Sequence, residues 1–358
     1  MKANSAQKQF FTRELMQWHH TDNDRSLPWK QEKDPYRIWL SEIILQQTRA
    51  QQGLPYYLRF VEAYPTIKHM AKAADEDVFR LWQGLGYYNR CKNMLASARY
   101  IVNELNGKFP NTYESLLALK GIGPYTAAAI GSFAFNLPCA VVDGNVYRVL
   151  ARYFGIETAT DTTEGKNLFQ SLALELLEVK KSAAYNQAIM DLGATVCTPA
   201  NYSCDSCPLQ SKCFAYPKGI VGDLPIKSKK LTIRKRYFHY VLFIVNDKVW
   251  IHKRTDKDIW QNLHEPYLIE NDTVLDTKGI STWLKKSSMA VSSKKIAYEG
   301  MLSQKLTHRI IESHFFRVEL EKQIQIPEKE GNWMLIKDLK KVAFPKSIVS
   351  YLEKIFYF

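Results

Sequence analysis

A glutamate, an aspartate and a run of closely spaced cysteines are the residues of this chain best placed to do chemistry. Glu42, in "DPYRIWLSEIILQQT", falls on the helical face that also carries Ile38, Trp39 and Leu45. A carboxyl among apolar groups resists ionisation, so its pKa is expected to rise until it can act as a general acid near neutrality. The alternative is a surface glutamate on a helix of different phase. Asp143 follows the apolar run "CAVV" and precedes "GNVYRVLARYFG", where helix capping is the default role of an aspartate. Capping and catalysis are compatible, because an aspartate held by backbone N–H groups is expected to stay ionised and can face a developing cation.

The cysteine run "CTPANYSCDSCPLQSKC" places Cys197, Cys204, Cys207 and Cys213 in one continuous loop with a single CxxC. Structural zinc usually takes two short-spaced ligand pairs from separate turns. A loop that wraps an object from four sides suits a cubic [4Fe–4S] cluster held by thiolates, with a zinc knot as the alternative. Cys91 and Cys139 sit in apolar, helix-like contexts and read as small buried residues.

These groups need elements to position them. "PNTYESLLALKGIGPYTAAAIGSFAFN" predicts a helix over 113–119, a turn at Gly121-Ile122-Gly123, Pro124 in a first helical turn, and a second helix whose Ala127, Ala128 and Ala129 permit close packing. The pattern is a helix-hairpin-helix, or else a plain helical hairpin. Its glycines allow a tight turn and expose N–H groups beside a helix N-terminus, which suits a phosphate oxygen and carries no sequence information. Downstream, "PIKSKKLTIRKR" at 225–236 holds six basic side chains and no acid. It reads as a solvated linker or as a DNA-facing one. "RYFHYVLFIVNDKVWIHKRT" then alternates like two strands around an Asn246-Asp247 turn, and "PKSIVSYLEKIF" closes the chain with a helical pattern.

Whole-chain properties agree. The 358 residues are long enough for two cores, and 46% hydrophobic with 13% aromatic content fits an ordinary globular protein. The formal net charge of +13 and a pI of about 9.2 favour a polyanionic partner. No signal-peptide pattern or run of roughly 18 apolar residues occurs, so no membrane partner and a cytoplasmic location are expected, where clustered cysteines act as ligands more often than as disulfides.

Taken in order, "SEIILQQT", "GLGYYNR" at 84–90, "LKGIGPYTAAAI", "VVDGNVYRVLAR" and the cysteine loop resemble the MutY-type adenine DNA glycosylases of the endonuclease III superfamily. The resemblance implies a mainly α N-terminal region, 1–224, with a six-helix barrel lobe and a second lobe holding a [4Fe–4S] cluster. It implies a basic linker, 225–236, and an α+β MutT-like (Nudix-like) domain, 237–358. The implied partner of the monomer is double-stranded DNA containing A:8-oxoguanine or A:G mispairs. By the same resemblance, Glu42 protonates adenine at N7 and Asp143 stabilises the oxocarbenium-like sugar, with Tyr125 and Asn145 as polar supports. Gln47 and Tyr87 wedge into the stack, while Trp29, Lys30, Leu45 and Gln187 line the adenine pocket. Gly121, Gly123 and Lys120 meet the DNA backbone. Leu306, Thr307 and His308 stand where the family senses 8-oxoguanine, and Cys197, Cys204, Cys207 and Cys213 hold the cluster.

Position 125 separates close relatives. Bifunctional members of the superfamily carry a lysine there whose amine attacks the sugar; here it is tyrosine, so free adenine and an intact abasic strand are expected. Tyrosine also fits thymine glycosylases acting on T:G mismatches, and a catalytically silent iron–sulfur damage sensor would share the cysteines, the hairpin and the linker. No acidic Nudix box lies between 270 and 330, where the chain reads "TWLKKSSMAVSSKK", so nucleotide pyrophosphatase activity is not expected. The chain departs from the family at Lys30, where an arginine is usual, and at Leu306, where an aromatic is frequent. Its cluster loop "TPANYS" has no basic residue, which leaves Lys212 and Lys218 as phosphate candidates.

Overall fold

The computed structural model describes residues 5–228, 233–289, 291–326 and 329–356. Residues 229–232 of the basic linker lie outside them. The chain divides into two compact units, one formed by 1–72 with 93–230 and the other by 73–92 with 231–358.

The first unit is helical. It contains α1 (Ser5–Thr21), α2 (Pro35–Leu45), α3 (Ala50–Ala63) and α4 (Ile67–Lys72). After α5 (Asp75–Trp82) of the second unit, the chain returns through α6 (Asn89–Glu104), whose residues from 93 onward belong here. It continues with α7 (Tyr113–Leu117), α8 (Pro124–Phe135), α9 (Gly144–Phe154), α10 (Thr163–Leu176) and α11 (Ser182–Thr195).

Helix α2 starts where Asp34 accepts the Tyr36 N–H at 2.9 Å and Pro35 occupies the first turn. It is buried on nearly every side, from Tyr36 and Ile38 through Ile44, so Glu42 has no solvent face to turn to. The alanines of α8 let it pack on α2. The α7–α8 pair is the expected hairpin, with α7 ending at Leu117, two residues earlier than the sequence pattern suggests. Gly121 has φ +81, and a Cβ there would lie 2.6 Å from Asn93 Cβ, so only glycine fits this turn. Gly123 differs from expectation: its φ of −95 is open to any residue. Open space surrounds it, so the missing side chain keeps the N-terminus of α8 clear.

Helices α9, α10, α11 and α1 share a core containing Phe11, Val149, Leu150, Phe169 and Leu192. Buried Asn186 of α11 pins the segment leading to Asp143. Its Oδ1 accepts the Val141 N–H at 3.0 Å, and its Nδ2 donates to Cys139 O at 2.8 Å. Cys91 is fully buried as expected, whereas Cys139 is only partly so.

The second unit is a mixed seven-stranded sheet of β1 (Arg234–Val245), β2 (Lys248–Lys253), β3 (His264–Glu265), β4 (Tyr267–Asn271), β5 (Ile296–Lys305), β6 (Arg309–Glu319) and β7 (Gly331–Leu335). Strands run in the order β3-β2-β1-β6-β5, with β4 paired to β1 and β7 to β2. The β1–β2 hairpin closes at Val245↔Lys248 around Asn246, whose φ of 51 is a conformation asparagine tolerates. β1 and β6 pair in parallel from Arg234↔Arg309 to Ile244↔Glu319.

Period-2 alternation sends Val241, Phe243, Phe316 and Val318 into one core with Ile280 and Leu284 of α12 (Thr277–Lys286). On the other face, Phe315 stacks on Tyr351 of α13 (Lys346–Phe356) with centroids 4.0 Å apart. Helix α12 carries Lys278, Lys285 and Lys286 and no carboxylate. Segment 73–92 packs in this unit: Glu76 pairs with Lys253 at 3.1 Å, and Gln83 Oε1 accepts the Phe344 N–H at 3.1 Å.

Candidate active site

A cavity of about 950 Å³ in the helical unit gathers residues from α2, the hairpin, the start of α9 and α11. Glu42, Tyr125, Asp143 and Asn145 all line it. Glu42 is 7% exposed, and burial pushes its carboxyl up to about 7. The Tyr125 hydroxyl donates to Glu42 and opposes that rise, while the nearby Asp143 charge adds to it. Tyr125 is itself pushed well above the ordinary phenol value, first by burial and then by the two carboxylates. It is therefore a hydrogen-bond donor and a poor nucleophile.

Asp143 caps α9, as expected for an aspartate at that position. Its Oδ1 accepts the N–H groups of Asn145 and Val146, each at 2.8 Å, and its Oδ2 accepts Asn145 Nδ2 at 2.7 Å. These bonds and the Arg148 charge favour the anion, yet the net direction of its pKa is upward because burial outweighs them. The hydrogen bonds that the sequence reading expects to hold the anion are present, and burial opposes them.

The cavity also includes Trp29, Lys30, Leu45, Gln47 and Gln187, together with both hairpin glycines. Lys30 Nζ donates to Asp191 Oδ2 at 2.6 Å and to the Arg25 carbonyl. Gln47 has φ 58 and, in the second unit, Tyr87 has φ 48. Both residues expected to enter a base stack are thus held in left-handed backbone, a strained conformation that concentrates at functional sites. The Tyr87 hydroxyl hydrogen-bonds Thr307 Oγ1 within that unit.

Leu306, Thr307 and His308 form the turn joining β5 to β6, closed by the Leu306 N–H on Arg309 O at 2.7 Å, with Thr307 and His308 exposed. Lys120 lies outside the cavity and is exposed, its carbonyl accepting Ser97 Oγ at 2.8 Å. Lys212 and Lys218, the other phosphate candidates, are exposed with their ammonium groups 4.4 Å from the Phe10 ring centroid and 3.7 Å from that of Phe214.

A family model described as HhH-GPD superfamily base excision DNA repair protein matches residues 40–173, and one described as NUDIX domain matches 239–354. An adenine DNA glycosylase of Buchnera aphidicola subsp. Schizaphis graminum (strain Sg) is 34% identical over 348 residues, which are 96% of this chain and 98% of that protein. The chain belongs to the adenine DNA glycosylase family. The adenine DNA glycosylase of Rattus norvegicus is 40% identical over 217 residues, covering 58% of this chain and 42% of that one. Among solved structures, a thermostable thymine-DNA glycosylase aligns at 28% identity with TM-score 0.56, over 61% of this chain and 100% of its own. Endonuclease III in a non-covalent DNA complex aligns at 19% identity with TM-score 0.53, over 61% and 99%, a likeness of fold. Among the described residues no helix is long and apolar enough to cross a membrane.

Two residues outside the sequence reading hold side chains that line this cavity. Arg148 is buried. Its Nη2 donates to Asn145 Oδ1 at 2.8 Å, and its Nε donates to Cys197 O at 2.7 Å. It thereby orients the Asn145 amide whose nitrogen holds Asp143. Asp191, with a side chain 0% exposed, accepts from Arg25, Lys30, Asn23 and Gln187. Spacing carried a signal for both, since Arg148 lies three residues after Asn145 and Asp191 four after Gln187, each pair on one helix face.

The four loop cysteines are free and pack against the α9–α11 core. Each of Cys204, Cys207 and Cys213 is raised first by burial and then by the other thiols, Cys207 to about 12. Arg152 Nη1 lies 3.3 Å from Cys197 Sγ. Among the described residues no three Cys, His, Asp or Glu close on a single metal ion. The donor set is all thiol, in mutual electrostatic range, and fits a soft cluster broader than one ion. Metal takes cysteine as the thiolate, so binding to these thiols releases their protons.

Proposed function

We propose that this chain is a monofunctional adenine DNA glycosylase of base excision repair. It hydrolyses the N-glycosidic bond of adenine mispaired with 8-oxoguanine or guanine and leaves an abasic site. The observation that carries the reading is the meeting of Glu42, its pKa raised to about 7, and Asp143 in one cavity. A purine leaves as a neutral base once N7 is protonated, and Glu42 still holds a proton to give near neutrality. Tyr125 keeps that carboxyl oriented. Asp143, fixed by its two backbone bonds and by Asn145, faces the positive charge that develops on the sugar. Water completes hydrolysis.

The target base must leave the duplex first, at a cost of a few kcal/mol. Gln47 and Tyr87 enter the gap, and Trp29, Lys30, Leu45 and Gln187 receive the base. The α8 N-terminus, kept clear by Gly123, and Lys120 bind backbone phosphate. Cys197, Cys204, Cys207 and Cys213 would hold a [4Fe–4S] cluster, which would cross-link their loop. No amine stands at position 125, so strand cleavage is not part of the reaction. Thr307 and His308, exposed on their turn, read the 8-oxoguanine strand. The protein acts as a monomer in the cytoplasm.

Purified protein is mixed with duplexes containing A opposite 8-oxoguanine, A opposite G, or T opposite G, then treated with alkali. The reading expects free adenine and a strand that breaks only after alkali. Cleavage confined to T:G would make it the thymine enzyme suggested by Tyr125 and by its 28% identical structural neighbour. Shifted but uncut DNA would make it a sensor.

A further inference from the structure

The carboxylate of Asp191 is saturated. Its Oδ1 accepts from Arg25 Nη1 at 2.7 Å and Gln187 Nε2 at 3.1 Å, and its Oδ2 accepts from Asn23 Nδ2 at 2.8 Å and Lys30 Nζ at 2.6 Å. Four donors fill the roughly four lone-pair sites of a carboxylate, and two of them are cations that offset its charge. Asp191 therefore has no capacity left for a ligand, and it does not line the cavity, whereas Arg25, Lys30 and Gln187 do.

A carboxylate accepts and cannot donate, so the Gln187 amide has one permitted orientation beside it, nitrogen toward Asp191 and oxygen away. Among the described residues Gln187 Oε1 has no hydrogen-bond partner. We propose that Asp191 is a specificity-setting positioning residue: by locking the Gln187 amide it fixes Oε1 as an acceptor in the base pocket, which then takes a purine bearing an amino group at C6 and rejects a 6-oxopurine. The proposal rests on the reading that this cavity receives adenine. Adenine offers N6–H to that oxygen. Hypoxanthine brings a carbonyl oxygen to the same place, lone pair against lone pair, while its N7 and glycosidic bond remain open to the same chemistry. Glu42 alone cannot tell the two bases apart.

Single-turnover excision from otherwise identical duplexes, with adenine or hypoxanthine opposite 8-oxoguanine, reads the effect as a ratio. Asp191→Asn offers Gln187 either an oxygen or an NH2, so its amide can flip. The adenine-to-hypoxanthine rate ratio is expected to fall by about tenfold or more. A purely structural role would slow both bases together, and an unchanged ratio in folded Asp191→Asn overturns the proposal. If that variant does not fold, Gln187→Met, similar in shape and without the amide, carries the test, with the same fall expected and an unchanged ratio again overturning it. Wild-type protein that releases no adenine from either mispair defeats the underlying reading; adenine release with an unaltered ratio defeats only the role of Asp191.

Discussion

Glu42 is held at a cost to the fold, and that cost makes it testable apart from catalysis. Its ordinary value is 4.5 and burial lifts it to about 7. The group's contribution to stability is therefore full below pH 4.5 and is lost as pH rises through 7. By pH 8 the loss is on the order of 3 kcal/mol. Glu42→Gln cannot ionise, so thermal melts should show the variant more stable than wild type at pH 8 and equal to it at pH 4. The same substitution should bind mispaired duplex and lose adenine excision by about 10²–10⁴, the usual contribution of a general acid. A variant no more stable at pH 8 would mean that the carboxyl is not shielded as described. Tyr125→Lys brings an amine to the same cavity and should give a borohydride-trapped protein–DNA adduct above the wild-type level. No adduct would place position 125 away from the sugar.

At the scale of elements, the approach of α9 to α11 fixes Asp143. A Cβ at Gly193 would lie 2.7 Å from Asn145 Cβ and 2.9 Å from its carbonyl oxygen. Gly193→Ala must displace Asn145, the residue that holds both carboxylate oxygens of Asp143. It should cost about 1–3 kcal/mol of stability by overpacking. It should also lower kcat by about 10²-fold while leaving duplex affinity near normal; a variant destabilised but fully active would show that the helix contact does not position Asp143. These elements were legible in the sequence wherever one local signal decided them. Gly121 and Pro124 mark the hairpin, and Asp143 announces its own cap. The pKa of Asp143 was not legible, because its direction is a sum of burial and bonds that only packing sets. Asp191 and Arg148 escape because their spacing from Gln187 and Asn145 also fits a solvated helix face, and they are buried only when Arg25, Lys30 and the Cys197 carbonyl close in from other segments. Gly123 reads as a turn glycine, but glycines two residues apart can serve different needs, here an open helix end.

Across the whole molecule, the least legible feature is the grouping of 73–92 with the sheet unit, which depends on contacts far apart in sequence. Ending the chain after Ser228 would strip Glu76 of Lys253, Gln83 of the Phe344 amide and Tyr87 of Thr307. Amide exchange in α5 should then quicken, and preference for A opposite 8-oxoguanine over A opposite G should fall more than adenine removal itself does. Unchanged discrimination after truncation would place lesion reading outside the Leu306-Thr307-His308 turn. The central claim, that a proton held by Glu42 releases adenine while Asp143 meets the cation, is tested most directly by the pH dependence of the single-turnover excision rate on a duplex with A opposite 8-oxoguanine. The rate should fall as pH rises through about 7, and Glu42→Gln should abolish that limb along with the activity; a wild-type rate that stays level or climbs from pH 6 to 9 would contradict the account.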